Sequence, residues 1–109
     1  MLELGAGSTG LPGLVAHKLG AAHVVLSDHL TELVSQLRRN IASNRQSEDV
    51  GAGRIEAMQM DWSAVADGSD SMPLGSSAEQ GSALVENFDV ILGSEVVTIT
   101  CVSPLFEVV

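Results

Sequence analysis

Apolar and polar positions along the chain alternate between two periods. Leu2 and Leu4 flank a single acid, Glu3, and run directly into Gly5-Ala6-Gly7-Ser8-Thr9-Gly10. An apolar stretch before a glycine cluster reads as a strand turning into a tight loop. The stretch is shorter than the about 5–6 residues of an ordinary strand, so the chain is expected to begin inside an element. Leu11, Leu14, Val15 and Leu19 then recur at offsets of 3, 4 and 8. This spacing predicts a helix with Pro12 in its first turn and Gly20 as its stop. His23-Val24-Val25-Leu26-Ser27 is a β-branched run of the kind buried in a parallel sheet, and Asp28 ends it.

Leu30, Leu33, Leu37 and Ile41 lie 3, 4 and 4 residues apart, which predicts a second amphipathic helix that ends at Asn44. Residues 47–53 read as a polar loop, and 54–60 as a weaker strand that ends before Asp61-Trp62. Residues 66–83, rich in Gly, Ser and Asp, are expected to form a flexible insertion without a core. Residues 88–93 return to buried-strand character. Ser103 and Pro104 then open a further helix from Leu105 onward. Strands alternating with helices predict an α/β fold, a Rossmann-like doubly wound parallel sheet. Four such strands leave an uncovered edge, and both ends of the chain are short of a full element. A partial domain over residues 1–109 is therefore expected, with a minimal complete domain as the alternative.

Composition narrows the class. The chain has 109 residues, of which 45% are hydrophobic, and a mean hydropathy of +0.27, enough apolar surface to offset the entropy of ordering. No apolar run approaches the ~20 residues that span a bilayer, and the amino end lacks the pattern of a secretory signal. Cys101 is the only cysteine, which excludes an internal disulfide and a zinc site of paired thiolates. A reducing compartment is expected, the cytoplasm first and the nucleus second. His17, His23 and His29 lack metal-ligand spacing and read as surface or strand-edge residues, so no metal is expected. The five basic residues lie within the first 54 and are balanced there by five acids. From Ile55 onward nine acids stand without a Lys or Arg, giving the net charge of -9. That asymmetry argues against nucleic acid and favours a basic partner.

Gly5-x-Gly7-x-x-Gly10 between a strand and a helix is a nucleotide-binding arrangement, since glycines let the backbone approach a ligand. A P-loop is excluded because Leu11 and Pro12 follow Gly10 where Lys and Ser or Thr are needed. Asp28, at the end of the next strand, suits the hydroxyls of a ribose or caps the helix after it. An NAD(P)-binding oxidoreductase is therefore one reading. Glu3 favours another: a carboxylate beside the loop suits a cofactor with positive charge, such as S-adenosylmethionine.

At Glu3-Leu4-Gly5-Ala6-Gly7 the chain resembles motif I of the class I, seven-strand methyltransferases. The match extends to the protein-lysine methyltransferases of the methyltransferase-like group through four further blocks in order. These are Leu11-Pro12-Gly13, the Ser27-Asp28 strand end with the Leu- and Asn-bearing helix to Asn44, Asp61-Trp62, and Glu95-Val96-Val97-Thr98 with Pro104-Leu105-Phe106 after it. Two departures stand out. Ser8 and Thr9 make the loop one residue longer than Gly-x-Gly-x-Gly, and Thr98 stands where the family has Tyr or Phe.

The resemblance implies the first four strands of a seven-strand domain, S-adenosyl-L-methionine as cofactor, and a protein lysine as methyl acceptor. It also implies roles: Glu3, Gly5 and Gly7 at the methionine part, Gly10 among the cofactor-binding residues of the loop, and Asp28 at the ribose. Asp61 would serve the adenine amine, Trp62 the ring face, and Glu95 the acceptor amine. Thr98 would stand at the aromatic position of the acceptor-lysine channel, where its hydroxyl supplies no aromatic wall. Each has a structural alternative: Trp62 as a core anchor, Glu95 as a helix-start acid, and the whole chain as a non-catalytic cofactor-binding remnant.

Overall fold

A computed structural model of the protein describes residues 1–45, 53–61 and 88–94. Within these the elements are β1 (Leu2–Leu4), α1 (Leu11–Lys18), β2 (His23–Asp28), α2 (Thr31–Asn44), β3 (Arg54–Gln59) and β4 (Ile91–Gly93). All pairings are parallel, in the order β3-β2-β1-β4. This is the α/β, Rossmann-like sheet that the alternation of periods predicts. β2 joins β3 across six residue pairs, from His23 opposite Arg54 to Asp28 opposite Gln59. β4 lies on the far side of β1, so the order of strands reverses between β1 and β4. Open α/β sheets bind ligands at such a reversal, outside the carboxyl ends of the strands.

Strand alternation sorts the core into two layers. Val24, Leu26, Ile55 and Ala57 point to one side, where Val34, Leu37 and Ile41 of α2 cover them, with Leu14 and Ala16 of α1 packed alongside. Leu2, Leu4, Val25, Met58 and Met60 point to the other side and gather with Phe88. Val24, Val25 and Leu26 have no exposed surface, because β2 is covered on both faces and paired on both edges. The ~2 kcal/mol gained by burying each such side chain makes this strand the anchor of the sheet.

The packing face of α1 differs from the one its leucines predict. Leu11, Val15 and Leu19 are exposed (62%, 47% and 83%), while Gly13 and His17 are buried. The cause is proximity. A Cβ on Gly13 would lie 2.1 Å from Leu26 Cδ2 and 2.8 Å from Glu3 Oε2, so the helix sits on the sheet at a distance only glycine allows. The residue that permits closest approach sets the buried face, and Leu11, Val15 and Leu19 turn outward while Leu14 stays against the core. His17 is consequently interior rather than superficial, and its Nδ1 has no hydrogen-bond partner among the described residues. His23 begins β2, with Nε2 2.9 Å from Glu56 Oε1, and His29 is exposed beyond its end. Gly20 stops α1 as expected, with φ +102° and its N–H on the carbonyl of His17.

Two further expectations change. Leu30 precedes α2 in extended conformation and is 45% exposed, so the stripe on α2 is Val34-Leu37-Ile41, with Leu33 only half-buried beside it. β4 is shorter than residues 88–93, and Val90, Ile91 and Leu92 are exposed. Among the described residues this strand pairs with β1 alone and no helix packs closely on it, so its apolar side chains stay exposed. The 47–53 loop apart from Gly53, the 66–83 insertion, Cys101 and the helix after Ser103 lie outside the described residues.

The fit of α1 on β2 makes a direct prediction. Gly13→Ala forces Leu26 or the helix to move and should lower unfolding free energy by about 1–3 kcal/mol, the usual cost of overpacking. A urea titration of the two proteins checks it through the midpoint at unchanged slope.

Candidate active site

The loop between β1 and α1 lies at the carboxyl ends of the parallel strands and turns with Gly5, Gly7 and Gly10 at φ of 63°, 66° and 59°. Non-glycine residues rarely adopt these values. Gly10 is also confined in space: a Cβ there would come within 2.7 Å of both Leu26 and Leu37. Gly7 is the opposite case, with nothing among the described residues within 4 Å of its Cβ position. Its backbone is therefore bare on that side, the condition a closely approaching ligand requires.

The loop is tied to the tip of β2. Ala6 N–H donates to the Ser27 carbonyl (2.8 Å), and Gly7 N–H donates to Asp28 Oδ2 (3.0 Å). Ser27 Oγ donates to the carbonyl of Glu3 (2.7 Å), which links the two strands where the loop departs. Asp28 is buried, and its Oδ1 accepts from Leu30 N–H (3.3 Å) beside His29 Nδ1 (3.2 Å). The carboxylate thus braces the loop and the entry to α2 together. The helix-cap alternative for Asp28 is not realised: α2 has no side-chain cap, and the bond from Leu30 N–H lies before its first turn. Met60 N–H on the Asp28 carbonyl (2.9 Å) brings the end of β3 alongside, and exposed Asp61 follows it at the same end of the sheet.

Glu3 has a different setting. With Leu2 and Leu4 on one side of the sheet, its carboxylate turns to the helix side, only 3% exposed, and accepts from Gly13 N–H at 2.9 Å. A carboxylate in the first turn of a helix meets the positive end of the helix dipole. Pro12 has no N–H to offer there, so the described first turn of α1 already holds its anion. Burial pushes the Glu3 carboxyl above its ordinary value, and the Gly13 N–H opposes that shift in part.

Glu3, Gly5, Gly7, Gly10, Asp28 and Asp61 therefore lie at one end of the sheet, in and around one loop. Trp62, Glu95 and Thr98 lie outside the described residues. Sequence reasoning missed Gly13 as the partner of Glu3 and Asn40 as a partner of the loop. The alternation of Leu2 and Leu4 around Glu3 carried the signal for the first. Nothing local to α2 signals the second.

The profile of a family described as lysine methyltransferase matches residues 1–105. A calmodulin-lysine N-methyltransferase of Arabidopsis thaliana is 32% identical over 96 residues, covering 87% of this chain and 26% of the relative. Methyltransferase-like protein 22 of Mus musculus is 35% identical over 98 residues, covering 88% of this chain and 24% of the relative. The chain thus spans about a quarter of the length of these curated relatives. No solved structure gives a significant match.

The buried carboxylate predicts a pH dependence. Because the folded protein holds the Glu3 proton more tightly than the ordinary value of 4.5, its contribution to stability is full below that pH. It is lost as pH rises through the raised folded value. Glu3→Gln retains an acceptor for Gly13 N–H and removes the ionisation. The variant should gain stability relative to the parent as pH rises from below 4.5 toward neutrality, read from urea midpoints at each pH.

Proposed function

As a member of the lysine methyltransferase family, the chain is one for which we propose S-adenosyl-L-methionine binding at the glycine loop and methyl transfer to protein lysine side chains. The observation that carries the cofactor reading is the Glu3–Gly13 contact at 2.9 Å. A dinucleotide's pyrophosphate needs the N-terminus of the helix after the loop. Here that position is filled by a carboxylate and lacks the amide of Pro12, so a nicotinamide cofactor is disfavoured by charge and by donors. A ligand bearing a sulfonium and an ammonium meets no such conflict. The residues present fit it: Gly7 is open toward the ligand end, and acids stand at the tips of β2 and beyond β3.

S-adenosylmethionine, when bound, supplies a methyl group on a sulfonium, and the protein's share is proximity and alignment. Gly5, Gly7 and Gly10 shape the loop for close approach, and Glu3 excludes an anion from its base. Asp28 accepts from ribose hydroxyls, Asp61 accepts from the adenine amine, and Trp62 packs on the ring face. Glu95 orients the acceptor amine and stabilises its charge, and Thr98 stands at the position of the acceptor channel where the resembled family has Tyr or Phe. The acid-rich stretch from residue 55 onward favours a lysine-rich protein surface as partner, and the lone Cys101 fits a reducing compartment, cytoplasmic or nuclear.

Calorimetric titration tests the reading. Saturable binding of S-adenosylmethionine and of its demethylated product is expected, with no heat from NADH. Asp28→Asn should weaken binding about tenfold or more, as expected for losing a hydrogen bond to a charged group worth ~1.5–3 kcal/mol. Binding of NADH without S-adenosylmethionine would overturn the assignment.

A further inference from the structure

The glycine loop is held from a second direction that the cofactor reading does not use. Asn40, half-buried on α2, donates through Nδ2 to the carbonyls of Ser8 (2.8 Å) and Thr9 (3.3 Å), residues 32 and 31 positions away. Its amide is oriented by a neighbour: Asn40 Oδ1 accepts from Gln36 Nε2 at 3.0 Å, which leaves the NH2 group to face the loop. Gln36 is set in turn by Arg39, whose guanidinium donates to Gln36 Oε1 at 2.8 Å. The donors run one way along α2, from Arg39 to Gln36 to Asn40 to the loop. On the opposite flank Ala6 and Gly7 are bound by Ser27 and Asp28. Ser8 and Thr9 are themselves exposed, and the Asn40 amide reaches both of their carbonyls.

We propose that Asn40 is a positioning residue, which keeps Ser8 and Thr9 drawn toward α2 so that the bare side of Gly7 stays open to a cofactor that Asn40 does not touch. The inference rests on the cofactor reading for its effect on affinity, and on the hydrogen bonds alone for its effect on the loop. A loop that falls to a tenth of its competent population loses about tenfold in apparent affinity.

Three variants decide the matter. Asn40→Ala removes both bonds at a helical position where alanine is favoured. Asn40→Asp keeps the size and the bond from Gln36 but replaces the donor with a carboxylate facing two carbonyl oxygens. Asn44→Ala, on the same helix, removes only a bond to the Asn40 carbonyl and serves as the control. Both Asn40 variants should bind S-adenosylmethionine about tenfold more weakly at near-parental thermal midpoints, with Asn44→Ala unchanged. Both should also accelerate hydrogen exchange of the Gly10 amide, which closes the loop on the Ala6 carbonyl at 3.2 Å. Parental affinity and exchange in Asn40→Asp would overturn the proposal, since packing alone would then suffice. If the parent itself takes up no S-adenosylmethionine, the cofactor reading fails. The Gly10 exchange rate then decides the role of Asn40 by itself: faster exchange supports it and an unchanged rate refutes it.

Discussion

The Glu3 carboxylate and the Gly13 N–H meet at 2.9 Å beneath the first turn of α1, on the helix-covered side of the sheet. A charge placed there is costly unless it is paired, and the helix end offers both a donor and a positive field. The contact imposes conditions on its surroundings. Residue 13 has no room for a Cβ, α1 must lie nearly in contact with β2, and the loop before it must turn sharply enough to deliver the helix to that place. The three left-handed glycines of the loop meet the last condition. Ser27 Oγ on the Glu3 carbonyl and Ala6 N–H on the Ser27 carbonyl carry the constraint across to β2. One strand residue thus determines where the helix begins and how the loop leaves the sheet.

Much of the fold is legible in the sequence because its period reports its burial. The run from Val24 to Leu26 is apolar without alternation because β2 is covered on both faces. The spacing of Leu37 and Ile41 reports a helix that lies against the sheet along its length. α1 breaks this relation. Its leucines repeat at helical intervals, yet Leu11, Val15 and Leu19 are exposed and a glycine is buried. Hydrophobic periodicity identifies the helix but gives its orientation only when side-chain volume sets the spacing. In α1 backbone proximity sets it, and an apolar count assigns no weight to glycine. β4 departs for another reason, since burial of a strand depends on layers contributed by other segments, and among the described residues no helix packs closely on Ile91 and Leu92.

The site divides along the same line. Gly5, Gly7, Gly10 and Asp28 are legible because each must satisfy a local backbone requirement: positive φ at the glycines, and a carboxylate at a strand end that accepts from nearby backbone amides. Asp28 illustrates how two readings merge, since bracing Gly7 and Leu30 uses the same carboxylate that would receive a ribose. Glu3 was legible as an unusual acid beside the loop, but its partner depends on which side of the strand it faces. Asn40 was not legible at all. A polar residue on a helix looks like any solvated position until the fold brings a loop from 31 and 32 residues away against it.

The hydrogen-bond inventory at this end of the sheet bears on what kind of ligand it can accept. Phosphate recognition by a glycine loop depends on free amides aimed at one point. Here the amides of Ala6, Gly7, Gly10 and Gly13 already have protein acceptors, and Pro12 has none to give. Carboxylates stand at the loop base and the strand tips, Glu3 and Asp28, with Asp61 beyond β3 and His29 beside Asp28. With these four amides engaged and its acids in place, the site is better matched to hydroxyls, amines and a cationic centre than to an anion. The same glycine spacing that reads as dinucleotide binding in isolation therefore acquires the opposite electrostatic meaning once Glu3 is placed inside the helix end.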